Sequence, residues 1–302
     1  MTRTKLWRAL LAMALAVAAL AVAACGDDDD DDDGGAGGGG DQAAEAEQFP
    51  ANTTLGKIQE RGEITIGVKF DVPPFGFNNP QTDEVEGFDV DIGRFIAEEL
   101  GVEPNFIEAI SDNRIPFLER GTVDLILSTM TINAERDLEI DFSEPYYIAQ
   151  GRILVPQGSD IKGLEDLAGN SVCTALGSTY EETIREDAPD ADLKLVDTYS
   201  ECLELLQNEA IDAISTDDVI LTGMIIQDDT LEMVGDPLTT EPYGVGIKEG
   251  DKQLKDFVDG VLQQVEEDGR WEETYQKWVG RHIGREEQPP AMTLQEALEL
   301  GT

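Results

Sequence analysis

Histidine and cysteine are nearly absent from this chain. One histidine, His282, and three cysteines, Cys25, Cys173 and Cys202, occur in 302 residues. That excludes a disulfide-dense scaffold, and no metal site is readable. No cofactor is expected, and His282, near the end of a helix-like segment, reads as a surface residue rather than a catalyst. Basic residues are scarce too: Lys and Arg number 21 against 64 Asp and Glu, for a formal net charge of −43. No basic face for nucleic acid can be assembled at that balance. A cluster of cations in a pocket would therefore need a local reason.

A long apolar run is also missing. The run at 10–20 is too short and too Ala-rich for a membrane span. With Arg3, Lys5 and Arg8 before it, residues 1–24 read as a secretory signal. Val22-Ala23-Ala24-Cys25 reads as a lipobox, so cleavage before Cys25 and a diacylglyceryl group on its sulfur would tether the protein to the outer face of the cytoplasmic membrane. The alternative is an ordinary signal peptide followed by a chance cysteine. Seven aspartates at 27–33 and a glycine-rich run to Gly40 follow. Such a segment repels itself and buries nothing, so 25–54 is expected to be an extended leash.

From Leu55 the pattern is that of an ordered α/β protein. Residues 63–69 alternate as a strand, and 70–77 turn through Pro73-Pro74. Residues 90–100 carry amphipathic helical spacing, with Asp89 as the expected cap and Gly101 as the stop. A strand around 104–107 leads to Ser111 and Arg114 at another helix start, closed by Gly121, and 123–127 form the next strand. The stretch 128–147, S-T-M-T-I-N-A-E-R-D-L-E-I-D-F-S-E-P-Y-Y, then places Ser128, Thr129 and Thr131 before Asn133, an apt helix cap, and Arg136 in the first turn. A strand ending at a helix N-terminus leaves backbone N–H groups unpaired, and Arg136 adds a planar fork, so the stretch reads as an anion site sized for one carboxylate. A surface helix with a solvated arginine is the plainer alternative.

A second α/β series follows. Residues 152–156, 171–175 and 211–215 read as strands, and Leu164 to Leu167 as a short helix. Ser178 and Thr179 precede a helix from Tyr180, with Thr179 and Glu182 as an expected capping box; Thr198 and Glu201 make a second box, for a helix ending at Asn208. Asp217 stands at a strand's carboxyl end, where ligands of open α/β sheets bind. It suits an ammonium partner, or else a helix cap. Further strands at 231–234 and 243–247, the latter returning to the first series, precede closing helices over 256–280 with Trp271, Tyr275 and Trp278 on a core face. With Cys25 lipidated, Cys173 and Cys202 are an even pair outside the cytoplasm, which reads as a disulfide, two buried thiols being the alternative.

Four motifs carry a resemblance. G-F-D-V-D-I at 87–92, T-I-N-A-E-R at 131–136, D-F-S-E-P-Y at 141–146 and G-R-W-E-E-T-Y-Q-K-W at 269–278 resemble the family 3 solute-binding proteins, the type II periplasmic-binding receptors of polar amino-acid ABC importers. The resemblance implies two lobes, each a mixed sheet flanked by helices, at 55–153 and 154–242, with 243–285 returning to the first. A tail at 286–302 holds a short helix capped by Thr293 and Glu296. It implies a monomer without enzymatic activity that closes on a free amino acid and delivers it to a permease. Carried over residue by residue, Arg136 is the α-carboxylate clamp, helped by Thr131 and by N–H groups near Thr131 and Thr179, with Ser178 also from the second lobe. Asp217 is the ammonium partner, aided by the carbonyl of Ser128 or Thr129.

Lys69 stands where the family's glutamine binders have an acid, and Arg114, after Ser111, is basic as in glutamate/aspartate receptors. V-K-F-D-V-P-P-F-G-F at 68–77, D-T-Y-S-E-C at 197–202 and the Cys173/Cys202 pair resemble glutamate-binding lipoproteins of actinobacteria. L-glutamate or L-aspartate is thus the expected ligand, although Thr198 stands where some of those receptors have a histidine. Glutamine binding is one alternative. Cyclohexadienyl dehydratase activity on prephenate-like dicarboxylates, housed by the same fold, is another.

Overall fold

The computed structural model describes residues 47–283 and 287–300. The signal segment, the lipobox Cys25 and most of the Asp/Gly-rich leash lie outside those residues. Order begins before Leu55: Phe49 packs edge-on against Phe257, its N–H donates to the Gln59 side chain, and Thr53 caps helix α1, Thr54–Arg61.

Strand β1 (Glu63–Val68) buries Ile64, Ile66 and Val68 completely, which is what its alternation requires. The chain then makes a small three-stranded sheet from β2 (Asp71–Val72), β3 (Gly76–Asn79) and β4 (Glu84–Glu86) where a plain turn was expected. Helix α2 (Phe88–Leu100), strand β5 (Glu103–Glu108), helix α3 (Arg114–Arg120), β6 (Leu125–Ile126) and β7 (Ile140–Phe142) complete the first run. Strand β8 (Tyr147–Pro156) crosses to the second series: β9 (Ser171–Ala175), α4 (Thr179–Asp187), β10 (Asp192–Val196), α5 (Tyr199–Gln207), β11 (Ala213–Asp217), α6 (Asp218–Gln227) and β12 (Leu231–Val234). Strand β13 (Thr240–Tyr243) comes back, followed by β14 (Gly246–Lys248), α7 (Lys252–Glu267) and α8 (Arg270–Tyr275).

Two mixed sheets result. The first has the order β5-β1-β6-β14-β7, parallel except at β14; the second has the order β10-β9-β11-β8-β12, with β9 parallel to β10 and β11, and β8 antiparallel to its neighbours. The start of β8 pairs with β13 as a two-stranded ribbon between the sheets, in the register Glu241 opposite Ala149. Beside the ribbon, Phe75, Phe88, Tyr146, Tyr147, Tyr243 and Trp271 interlock in edge and tilted contacts, and the Trp271 indole N–H donates to the Tyr146 carbonyl at 2.8 Å. Trp271 and Tyr275 are core as expected; Trp278 is half-buried and donates to Asp91. Cys173 in β9 and Cys202 in α5 form a disulfide across a Cα separation of 5.7 Å.

Three local expectations fail, each because a distant partner outcompetes the local one. Asp89 does not cap α2: Gly87 holds the cap position, and the Asp89 carboxylate, one residue inside the helix, is buried against the Thr129 N–H and the Tyr146 hydroxyl. Thr179 makes no capping box with Glu182; Ser178 is the cap residue, without a side-chain cap bond, and the Thr179 hydroxyl reaches Glu241 instead. After β6 the chain does not enter an α-helix. Residues 128–135 form a loop bridged at Thr131 to Tyr243, and Arg136–Leu138 is a single 3₁₀ turn, although the Asn133 side chain does accept the Arg136 N–H at 2.9 Å.

Candidate functional site

Both sheets turn their β1, β6 and β11 ends toward one cleft. On the first side stand three buried cations, Lys69, Arg114 and Arg136, with relative exposures of 1%, 2% and 9%. Lys69 follows β1 directly; its ammonium donates to the Ser111 hydroxyl at 2.8 Å and lies 5.6 Å from the Tyr199 ring centre. Arg114 opens α3 and spends its N–H groups on carbonyls: Nε on Ser111, Nη1 on Ser128 at 3.1 Å and Thr129 at 3.2 Å. Arg136 donates from Nη1 to the Thr131 carbonyl at 2.7 Å. Among the described residues none of the three forms a salt bridge. Burial, reinforced by Arg114 nearby, lowers the Lys69 ammonium to about 7; burial and then Arg136 lower Arg114 to about 9. Burial lowers Arg136 as well, and the Glu241 carboxylate partly restores it.

The loop that carries these carbonyls is held open by Asp89. Thr129 sits at φ +45°, an unusual conformation for a β-branched residue, and its N–H donates to Asp89 at 2.8 Å while its carbonyl takes Arg114. Burial raises the Asp89 carboxyl to about 7.

The opposite side is acidic and hydroxylic. Asp217, the last residue of β11, is 4% exposed and accepts from the Tyr180 hydroxyl at 2.9 Å. Burial, then the charge of Glu241, pushes its carboxyl well up. Ser178 shares a hydrogen bond with Thr174 at 3.1 Å, and Tyr199 is buried with its hydroxyl pushed up to about 12, chiefly by burial. Glu241, on the crossing strand β13, accepts from the Thr131 hydroxyl at 2.6 Å and from the Thr179 hydroxyl at 3.1 Å.

The two sides are shut together. The Gly177 carbonyl accepts from both Arg114 and Arg136 at 3.2 Å, and Gly177 adopts φ +74° with its Cα so close to Asp112 that a Cβ would come within 2.8 Å. At the opposite rim Gly223 packs under the Pro73 carbonyl, where a Cβ could not be accommodated. The space left between the two sides is about 10 Å³, room for roughly one water, so entry of anything larger requires them to part. Outside it, an open groove of about 570 Å³ runs along α4 past Glu182, Glu186 and Asp187. It lacks a cation.

Residues 64–281 match the family described as bacterial extracellular solute-binding proteins, family 3. The chain belongs to that family. Among curated relatives of this family 3 protein, the ABC transporter glutamine-binding protein GlnH of Bacillus subtilis is 40% identical over 239 residues, 78% of this chain and 88% of that one. The glutamate-binding protein GluB of Corynebacterium glutamicum is 33% identical over 242 residues, covering 75% and 80%. Among solved structures, the ancestral amino-acid-binding protein AncCDT-1, described as a precursor of cyclohexadienyl dehydratase, superposes with a TM-score of 0.70 at 33% identity, covering 75% of this chain and 99% of that one. The fold is accordingly the type II solute-binding fold that the motifs led one to expect.

Of the ten expected site residues in this family 3 protein, Ser111, Arg114, Thr129, Thr131, Arg136, Ser178, Thr179 and Asp217 line the cavity. Lys69 stands just behind Ser111. The Ser128 side chain is turned away, donating to the Ala109 carbonyl at 2.8 Å, so only its backbone reaches the site. Tyr180, Tyr199, Gly177 and Glu241 were missed. Tyr180 and Tyr199 are first-turn residues of helices whose starts were legible, and each helix start marks a strand's carboxyl end; Glu241 carries no local signal beyond preceding Pro242.

Proposed function

We propose that this protein captures L-glutamate, or L-aspartate, between its two lobes and delivers it to the permease of an ABC importer. The observation that carries the reading is the group of three buried, carboxylate-free cations in one cleft of a chain with net charge −43. An α-carboxylate occupies one of them, Arg136. A side-chain carboxylate accounts for the other two, since burying it without cations would cost several kcal/mol. Asp217 then receives the ammonium. The lobes comprise 55–153 with 243–285 and 154–242; Cys25 carries the lipid anchor, and the protein works as a monomer that closes on its ligand.

GlnH, at 40% identity, favours glutamine as the rival ligand. Calorimetric titration with L-glutamate, L-aspartate and L-glutamine, after unfolding and refolding to strip carried ligand, separates the two. Lys69→Met is the sharper variant, because Arg114 is bound to four backbone carbonyls and its loss threatens the fold. Lys69→Met is expected to weaken L-glutamate by about 30-fold or more and L-glutamine by less than about threefold, the difference being one buried charge-assisted contact. Equal loss for both ligands would refute the side-chain assignment. Turnover of prephenate by the purified protein would replace the transport reading with the dehydratase one.

A further inference from the structure

Glu241 belongs to neither wall of the cleft. It sits on β13, in the ribbon that joins the two sheets, and it is 3% exposed. Backbone bonds fix its register against the first wall: the Ile132 N–H donates to the Pro242 carbonyl at 2.7 Å, and the Gly244 N–H to the Met130 carbonyl at 3.0 Å. Its single oxygen Oε2 then accepts one hydroxyl from each side, Thr131 and Thr179.

A carboxylate oxygen only accepts, so both threonine hydroxyls are donors toward Glu241 and retain only lone pairs for anything else. The same two threonines line the inner cavity, which also contains Asp217, and the outer groove, which contains Glu241. The hydroxyls thus form a partition with Glu241 behind them and Asp217 on the inner side. Seen from the cavity, Asp217, Thr131 and Thr179 are three acceptors. An ammonium group has three N–H donors and no acceptor.

We infer that Glu241 is a positioning residue that fixes the polarity of the Thr131 and Thr179 hydroxyls, turning them with Asp217 into a subsite for the ligand's ammonium group. The Thr131 hydroxyl, its proton committed to Glu241, thereby goes to the amine side, and only the residue's backbone N–H remains to help hold the α-carboxylate. Because Thr179 comes from the second lobe, the subsite is complete only when the cleft is closed. The assignment rests on the reading of the cleft as an α-amino-acid site and is independent of which side chain the amino acid carries.

The test is a substitution cycle on the full protein, titrated by calorimetry with L-glutamate and, separately, L-glutamine. Glu241→Gln presents an amide that can donate to one hydroxyl and reverse it, so affinity for whichever amino acid binds is expected to fall about tenfold. In the Thr131→Val/Thr179→Val background there is no hydroxyl left to orient, and the same change is expected to cost less than about twofold. The single Thr179→Val background, which disturbs less, is expected to give an intermediate loss. An equal loss in all backgrounds, or none in the parent, overturns the assignment to Glu241 while leaving the amino-acid reading intact. Failure of the parent protein to bind either amino acid would overturn both. Thermal unfolding of each variant without ligand separates a folding defect from a site defect.

Discussion

The two walls of the cleft are built from opposite chemistry by similar means. On the first, Lys69, Arg114 and Arg136 stand at the ends of β1, at the start of α3 and after β6, and their partners are hydroxyl and carbonyl oxygens. On the second, Asp217 ends β11 and leans on a tyrosine hydroxyl, with Ser178 and Thr179 at the start of α4. Burial moves the groups on each wall toward neutrality: Lys69 and Arg114 downward, Asp217 upward. Neither wall therefore satisfies its own charges, and the contacts that cross at the arginines and threonines involve the uncharged Gly177 carbonyl and the shared Glu241, while Lys69 faces the Tyr199 ring. A zwitterion placed between them lowers the charging cost on both sides at once. Under the proposed function, that couples ligand capture to closure.

The contrast is broken most completely at Arg136. Arg136→Ala removes the fork while leaving Lys69 and Arg114, and is expected to weaken L-glutamate and L-glutamine alike by about 100-fold or more, in line with the roughly 3–5 kcal/mol lost when one member of a buried charge pair is removed. Unequal losses in titration would mean that Arg136 contacts the ligand side chain rather than the shared carboxylate.

Among the described residues only the second wall is cross-linked, by Cys173–Cys202 at a sequence separation of 29. Replacing both cysteines with serine is expected to lower unfolding free energy by roughly 3–4 kcal/mol in the chain-entropy model. Neither cysteine lines the cavity, so affinity should stay within about twofold. A denaturant melt and a titration on the same sample check both parts, and a large affinity loss would show that the disulfide orders the second wall.

The finest test is protonic. With Lys69 near 7 in the folded protein against 10.5 for an unperturbed lysine, the unfolded chain holds a proton there that the folded chain lacks between those values. This group's contribution to stability accordingly rises with pH across that window. An anion brought beside Lys69 restores the proton. Binding of L-glutamate at pH 8.5 is expected to take up a sizeable fraction of one proton, and at pH 6 none; L-glutamine is expected to take up none at either. Calorimetry in buffers of different ionisation enthalpy measures this, and equal uptake for both ligands would detach Lys69 from the ligand side chain.

Much of this architecture is written locally. Alternation made β1 legible, Gly101 and Gly121 stop α2 and α3 in the left-handed conformation, and Thr198 accepts the Glu201 N–H at the start of α5 as the box predicts. The Thr293–Glu296 box at the C-terminal helix, Leu294–Leu300, forms in both directions, whereas at α5 the bond seen is the one accepted by Thr198. The cations were legible because charge that is scarce overall stood out at strand and helix ends. The capping roles given to Asp89 and Thr179 failed even though the residues fit the local rule.

The sequence by itself thus determined the two-sheet α/β plan, the glycine stops of α2 and α3, the family and the cationic side of the cleft, since each depends on residues within a few positions of one another or on motifs read as strings. Tertiary structure alone decided what Asp89, Tyr180 and Glu241 do. Their partners lie 40, 37 and 110 residues away in sequence. A buried carboxylate takes whatever donors the packing brings to it, because leaving either unpaired costs more than any local cap returns.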